Sequence, residues 1–151
     1  MLKETIQADF VTAMKEKNTV GKTALSGLKA KITEAEKANG NQSLNDNEVI
    51  KVITSCIKQR KQSAEEFTKG NRPELAENEL NEIKVLENYM PKQMTEDEIE
   101  TEVRAIVITF DEQDNRSKVI GQTIGQFNKK FTGMANMDTV KKIVEKIAHS
   151  L

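Results

Sequence analysis

The chain has 151 residues, of which 36% are hydrophobic, 31% charged and 4% aromatic. Its 23 basic and 24 acidic side chains nearly cancel, so the whole chain exerts no net attraction on nucleic acid, and a polyanion could be held only by a local patch. A single Cys and a single His exclude an internal disulfide and a Cys/His zinc cluster, and we expect no metal and no cofactor.

The sequence also bears on cellular location. Uninterrupted apolar runs are only a few residues long, which is too short for a membrane span, and we expect no membrane association. The acids Glu4 and Asp9 near the amino terminus disfavour a signal or transit peptide. Together with the lone cysteine, these features predict a cytoplasmic protein.

Apolar residues recur at spacings of three and four along the whole chain, which predicts an all-α fold. The first helix has its apolar stripe over 2–14 and is expected to end near Asn18. The second has its stripe over 25–35 and ends before the Asn-Gly-Asn of 39–41, where glycine can supply a left-handed stop. We expect these two helices to form a hairpin.

The third helix is expected to begin at Asn45, which can form a capping box with Glu48, and to end at Gly70. Pro73 then fits the first turn of a fourth helix, because its missing N–H costs nothing there. The residues predicted to face inward on the fourth helix are Leu80, Ile83, Leu86 and Met90.

Pro91 stops the fourth helix, and we place a domain boundary at this point. The predicted architecture is an N-terminal four-helix domain over 1–91 followed by a small C-terminal three-helix bundle over 92–151.

Three short helices are predicted in the second domain. The first of them opens with a capping box of Thr95 and Glu98, the next is stopped at Gly133, and the last is capped by Asp138. Their apolar content is enough for a compact core, although domains of this size are marginally stable.

Residues suited to catalysis are scarce. His149 lies two residues from the chain end, where helices fray, and Cys56 shares an apolar stripe and is expected to be a small core thiol. Gly121 and Gly125 have the spacing of a small-residue helix contact, so we predict close helix packing there. We therefore predict no catalytic residues.

Charge is distributed unevenly along the second domain. Residues 92–115 contain 2 basic and 8 acidic residues, whereas 116–151 contain 7 basic and 2 acidic ones. Basic side chains on two adjacent helices could converge on phosphates, and an ordinary solvated surface is the alternative. The candidate RNA-binding residues are Arg116, Lys118, Lys129, Lys130, Lys141 and Lys142, and Lys146 belongs to the same basic segment.

A second basic cluster lies within 49–64, a stretch without acids. Its members are Lys51, Lys58, Arg60 and Lys61. Neither cluster has interleaved aromatic residues, so any RNA contact should read the backbone and shape rather than stack on bases.

Four runs stand in an order and spacing typical of a known family. They are 57–67 (IKQRKQSAEEF), 70–76 (GNRPELA), 82–95, which ends in YMPKQMT, and 119–125 (VIGQTIG). Over essentially its whole length the chain closely resembles the GatB/YqeY family, and the last run is similar to that family's Met-Gly repeat.

The resemblance implies a free-standing YqeY-like protein related to the tRNA-binding tail of the B subunit of glutamine-dependent aminoacyl-tRNA amidotransferase. In that enzyme a separate catalytic cradle performs the chemistry, so the resemblance implies an accessory role. The tail positions Lys129 and Lys130 fit the family's pattern. In the second helix, Gly21 and Ser26 stand where the family usually has arginines.

Three hypotheses of function follow. The first is a cytoplasmic accessory protein that binds tRNA through its basic C-terminal surface without catalysing amide transfer alone. The second is an interaction module that docks on a translation or amidotransferase subunit through the acidic strip from Glu96 to Asp114. The third, which the family label suggests, is a carbon–nitrogen ligase with glutamine as amide donor, but residues for ATP activation, magnesium and an ammonia supply are not evident.

Overall fold

A computed structural model describes residues 1–150, which form seven α-helices and no strand. The all-α prediction is therefore confirmed. None of the helices in this range combines the length and the apolar character that crossing a membrane requires. The helices are α1 Leu2–Lys15, α2 Thr19–Ala38, α3 Asp46–Lys69, α4 Pro73–Glu87, α5 Glu96–Val107, α6 Arg116–Lys130 and α7 Met137–His149.

The helices pack in two units. The amino-terminal unit, Met1–Met90, contains α1 to α4, and the carboxyl-terminal unit begins at Pro91 and contains α5 to α7. In the amino-terminal unit α3 and α2 both pack against α4, while α1 packs against α2; in the carboxyl-terminal unit all three helices contact one another. That each unit is a separately folding domain, with a boundary between residues 91 and 92, stays a prediction.

The core of the amino-terminal unit is built from one apolar stripe on each helix and from Leu44, which precedes α3. Its fully or nearly fully buried members are Ile6, Leu25, Leu28, Ile32, Leu44, Val49, Ile53, Ile57, Ile83 and Leu86. Each such side chain stabilises the fold by roughly 1.5–3 kcal/mol relative to full exposure. The burial of Ile83 and Leu86 confirms two of the residues predicted to face inward on α4.

Two residues predicted to lie on inward stripes are about half exposed. Leu80 and Met14 each retain 49% of their accessible surface. On α4 the inward arc is centred on Ala76, Ile83 and Leu86, and Leu80 lies at its edge. The spacing of apolar residues therefore predicted the position of the stripe but not which residues at its edge are buried.

Side-chain caps fix several helix ends, as predicted. Asn45 and Glu48 form a reciprocal capping box at the start of α3, and Thr95 and Glu98 form the second one at the start of α5. Gly40, just after α2, has φ +67°, the left-handed conformation that glycine adopts without strain.

Other helix ends differ from the prediction. The cap of α7 is Asn136, whose side chain accepts a 2.8 Å hydrogen bond from the backbone N–H of Asp138. Asp138 was predicted as this cap, but it already lies inside the first turn. The first helix ends at Lys15 rather than near Asn18, because Asn18 instead caps α2 by accepting a hydrogen bond from Gly21 N–H.

The carboxyl-terminal unit has its own core. Its buried members are Ile99, Val103, Val107, Val119, Phe127, Val140, Val144 and Ile147. Thr123, in the middle of α6, is also fully buried, and its hydroxyl has no hydrogen-bond partner among the described residues. This core leaves one side of α6 and one side of α7 facing solvent.

Candidate nucleic-acid interface

Helices α6 and α7 run antiparallel in the carboxyl-terminal unit. They pack against each other, and Arg116 Nη1 at the start of α6 lies 3.4 Å from His149 Nδ1 at the end of α7. The basic side chains predicted to bind RNA are therefore presented by two neighbouring helices.

The outward face of α6 carries two of the predicted lysines. Lys118, Gln122, Gly125 and Lys129 are spaced by four, three and four residues, which places them on one side of the helix, and all are exposed. The opposite side buries Val119, Thr123 and Phe127. Lys118 and Lys129 thus lie on the same face about 16 Å apart along the helix axis.

Two of the predicted lysines have acidic partners. Lys118 Nζ lies 3.1 Å from Asp114, and Lys130 Nζ lies 3.7 Å from Glu102 of α5. The pKa of Asp114 is lowered chiefly by the hydrogen bond that its carboxylate accepts from the backbone N–H of Asp111, and next by the hydrogen bond from Lys118. Both lysine side chains are more than half exposed, and ion pairs of such exposure contribute little to stability, so these lysines can exchange a carboxylate for a phosphate.

Helix α7 presents three lysines, all exposed. Lys142 and Lys146 are four residues apart and share a face, whereas Lys141 lies about 100° from Lys142 around the helix. Glu145 is nearby in the chain, but within residues 1–150 no carboxylate lies within 4.0 Å of these lysines or of Lys129.

The structure thus brings the predicted residues together only in part. Lys118 and Lys129 share one face of α6, and Lys142 is on α7 with Lys146 beside it. Arg116 is at the opposite end of α6 from Lys129 and Lys130, and Lys141 is on another side of α7 from Lys146. Lys146 has the same exposure and the same lack of a described acidic partner as its neighbours, so it belongs with the candidate set.

Gly121 and Gly125 are exposed on α6, and an added Cβ at either position would meet nothing within 4 Å. The prediction of close helix packing at these glycines is therefore wrong. Their spacing of four residues defines a common face, but α7 and α5 pack against the side of α6 that carries Val119 and Phe127.

Arg60 does not belong to the basic surface predicted within 49–64. Its guanidinium lies 3.2 Å from Glu79 and also contacts Glu82, so it joins α3 to α4. Burial raises the pKa of Glu82, and the charge of Arg60 opposes that rise. An added Cβ at Gly27 of α2 would lie 3.2 Å from the guanidinium, which leaves little room for a larger residue at that position.

The residues considered for catalysis lie in different units. Cys56 is half-buried in the amino-terminal unit, and burial raises the pKa of its thiol, which disfavours the nucleophilic thiolate. His149 is in the last turn of α7. Among residues 1–150, no three or more His, Cys, Asp or Glu side chains are grouped as a metal site would require.

Comparison with curated proteins identifies fungal relatives. The chain is 30% identical over 126 residues to "Altered inheritance of mitochondria protein 41, mitochondrial" of Kluyveromyces lactis, covering 83% of this chain and 68% of that protein. It is 33% identical over 93 residues to an uncharacterised protein of Schizosaccharomyces pombe, covering 60% of this chain and 73% of that protein. A namesake of the first in Lachancea thermotolerans is 34% identical over 85 residues, which cover 56% of this chain and 46% of that protein.

The names of these relatives correct one expectation. With two further fungal relatives of the same name, four are named mitochondrial proteins, which contradicts the cytoplasmic location predicted from the sequence. Import machinery recognises a transport signal, which is a separate segment. The charge balance and cysteine content of a folded region therefore do not determine the compartment in which the protein is located. In three of the four, the matched region spans 44–51% of the relative's length.

The family assignment rests on nearly the full chain. The family model described as "Yqey-like protein" matches residues 3–147, a range that includes all of α2 to α6 and most of α1 and α7. The chain therefore belongs to the family of YqeY-like proteins.

Proposed function

We propose that this YqeY-like chain is an accessory protein that binds transfer RNA through the exposed lysines of α6 and α7, and that it catalyses no amide transfer by itself. One observation carries the proposal. In a chain of net charge −1, Lys129, Lys141, Lys142 and Lys146 are exposed on two adjacent helices with no carboxylate within 4.0 Å among residues 1–150.

Unpaired lysines favour a phosphate ligand for an electrostatic reason. A lysine without an acidic neighbour gives up no ion pair when it binds a phosphate, and each phosphate that it neutralises releases condensed counterions. Residues 116–151 contain 7 basic and 2 acidic residues, so this segment is cationic although the whole chain is nearly neutral.

The glycines of α6 support the same ligand. Gly121 and Gly125 lie between Lys118 and Lys129 in the chain, and no side chain of the described residues approaches their Cβ positions. A glycine inside a helix costs about 0.5–1 kcal/mol relative to alanine. Bare backbone on this part of α6 lets a sugar-phosphate chain approach the helix more closely than a side chain would allow.

The choice of transfer RNA among RNAs is supported by the resemblance to an amidotransferase tail that binds tRNA. The candidate lysines have few aromatic neighbours: Phe131 is half-buried, and its ring centre lies 5.2 Å from Lys130 Nζ. Contacts between lysines and phosphates, without aromatic residues that stack on bases, recognise the shape and backbone of a folded RNA rather than its sequence.

A protein partner on the acidic strip from Glu96 to Asp114 is the second candidate. Ile108, which lies within that strip, is 80% exposed, and an exposed apolar residue favours a protein contact. Several acids of the strip are engaged locally, however: Glu98 in the cap of α5, and Glu100 with Arg104 at 2.8 Å. A pull-down that survives nuclease treatment and is lost in Ile108→Ser would favour this candidate.

The proposal is tested by measuring the affinity for purified tRNA as a function of salt. We compare the wild type with Lys129→Gln/Lys142→Gln, and a control, Lys31→Gln/Lys37→Gln, removes the same charge from α2. The slope of log affinity against log salt should fall in magnitude by roughly 1.4–1.8 in the first variant and stay unchanged in the control. Equal slopes in all three proteins would exclude the named surface.

The accessory role has a separate test. The purified chain, incubated with mischarged tRNA, glutamine and ATP, should form no amidated product. Product formation without another subunit would contradict this part of the proposal.

A further inference from the structure

The outward face of α3 carries a row of four lysines. Lys51, Lys58, Lys61 and Lys69 are all exposed, and spacings of seven, three and eight residues keep them on the solvent side of this 24-residue helix. From the first lysine to the last, the row extends about 27 Å along the helix axis. The opposite side of α3 contributes Val49, Ile53 and Ile57 to the core, among other residues.

These lysines have no acidic partner in the described structure. Glu48 is occupied by the capping box with Asn45, and Glu65 and Glu66, one turn from Lys61 and Lys69 respectively, lie beyond ion-pair distance. Two lysines elsewhere in the same unit do have acidic partners: Lys3 pairs with Glu36 at 2.5 Å and Lys31 with Glu34 at 3.4 Å.

The acids of α4 do not neutralise this row. Glu79 and Glu82 are directed to Arg60, which points from α3 toward α4 and is mostly buried. The arginine therefore compensates these two carboxylates inside the unit, and the four lysines remain on the solvent side.

The chemistry of the face favours one kind of ligand. The exposed residues of α3 between Lys51 and Lys69 are all polar or charged. Protein interfaces have an apolar centre, and helices that lie on membranes insert an apolar face, whereas the apolar face of α3 is in the core. A row of cations without apolar residues suits a chain of phosphates.

We infer that the outward face of α3 is a second RNA-binding surface, in the amino-terminal unit, that contacts the phosphate backbone through Lys51, Lys58, Lys61 and Lys69. The inference rests on the proposed function in taking RNA as the ligand, but it uses a different unit and different residues. Glu65 lies on the helix face between Lys58 and Lys61, and its removal should strengthen binding.

The experiment uses the full chain and purified tRNA. The variant Lys51→Gln/Lys58→Gln is compared with Lys31→Gln/Lys37→Gln, which removes the same charge from α2, and with Lys129→Gln/Lys142→Gln. Glutamine and lysine have nearly equal helix propensities, so folding should be preserved, and circular dichroism checks it. The α3 variant should lower the magnitude of the salt slope by roughly 1.4–1.8, and the reductions should add when it is combined with Lys129→Gln/Lys142→Gln.

The outcomes separate the two proposals. An unchanged slope in the α3 variant, with a reduced slope in Lys129→Gln/Lys142→Gln, overturns the inference and leaves the proposed function intact. The reverse pattern supports the inference and overturns the α6–α7 surface. Absence of tRNA binding by the wild type at low salt overturns both proposals. Both are also overturned if the wild type binds phosphatidylglycerol vesicles instead of tRNA and the α3 variant loses this vesicle binding.

Discussion

The hydroxyl of Tyr89 donates a 2.5 Å hydrogen bond to the carboxylate of Asp9, 80 residues earlier in the chain. Asp9 is in α1 and Tyr89 follows α4, so this bond joins the first helix of the amino-terminal unit to its last segment. Burial, and then the hydrogen bond to Asp9, raise the pKa of Tyr89 above its ordinary value of 10.0.

Tyr89 offers a direct test of this contact, because the chain has one Tyr and no Trp. The ultraviolet absorbance of tyrosinate should rise only above pH 10, and Asp9→Ala should lower the midpoint toward 10. Because the folded pKa is raised, the contribution of this group to stability is complete below pH 10 and is lost as pH rises through the folded pKa. Identical titration of wild type and variant would show that the two groups do not interact.

A second prediction concerns the ion cluster of Arg60. Its side chain and that of Glu79 are each 21% exposed, and that of Glu82 is 12% exposed. Removing one partner of a largely buried cluster leaves uncompensated charge, so Arg60→Met should lower the free energy of unfolding by roughly 2–4 kcal/mol at pH 7. Urea unfolding measures this loss.

The dependence on pH distinguishes this cause from lost packing. In Arg60→Met, Glu82 keeps the burial that raises its pKa and loses the cation that opposed this rise, so protonation of Glu82 as pH falls from 7 to 4 should recover part of the lost stability. Glu79→Gln and Glu82→Gln, added to Arg60→Met, should restore stability at pH 7 in the same way. A deficit that is constant between pH 7 and pH 4 would point to packing alone.

Some features that depend on close neighbours in the chain were predictable, although the cap of α7 was assigned to Asp138 instead of Asn136. The capping boxes of Asn45 with Glu48 and of Thr95 with Glu98 involve residues three apart, so the residue types were sufficient to find them. The pairing of Arg60 with Glu79 and Glu82 spans 19 and 22 residues and requires knowing that α3 packs on α4. The sequence showed a basic cluster there but not that one member is neutralised.

The candidate RNA surface shows the same division. Lys118 and Asp114, which lies in the loop just before α6, are only four residues apart, so their pairing is local, whereas Lys130 meets Glu102 only because α5 and α6 pack together. For Gly121 and Gly125, the spacing indicated a shared face but could not indicate whether another helix covers it.

Thr123 gives a third prediction. Its hydroxyl is buried without a hydrogen-bond partner among residues 1–150, and leaving a polar group in this state costs roughly 1–3 kcal/mol. Thr123→Val keeps the shape and removes the hydroxyl, so it should raise the midpoint of urea unfolding. Thr123→Ser keeps the hydroxyl and loses the methyl group, and it should lower the midpoint. A destabilised valine variant would show that the hydroxyl finds a partner in solution.

A fourth prediction addresses the two units. If the boundary lies between residues 91 and 92, fragments 1–91 and 92–151 should each be helical by circular dichroism and should each unfold cooperatively. The shorter fragment should be the less stable, because a chain of about 60 residues buries a smaller fraction of its surface. A helical signal that disappears in both fragments would contradict the boundary.

The last prediction concerns the exposed glycines of α6. Because an added Cβ at Gly121 or Gly125 meets nothing within 4 Å, Gly121→Ala and Gly125→Ala should each raise the free energy of unfolding by roughly 0.5–1 kcal/mol. Gly40→Ala is the control: its φ of +67° is strained for alanine, so it should destabilise.

The same variants address function. If RNA approaches the bare backbone of α6, Gly121→Ala/Gly125→Ala should weaken tRNA binding although the protein becomes more stable, and the salt slope should stay the same because no charge is removed. Opposite changes in stability and affinity would separate a contact surface from a structural role. Unchanged affinity would show that the RNA does not approach these glycines.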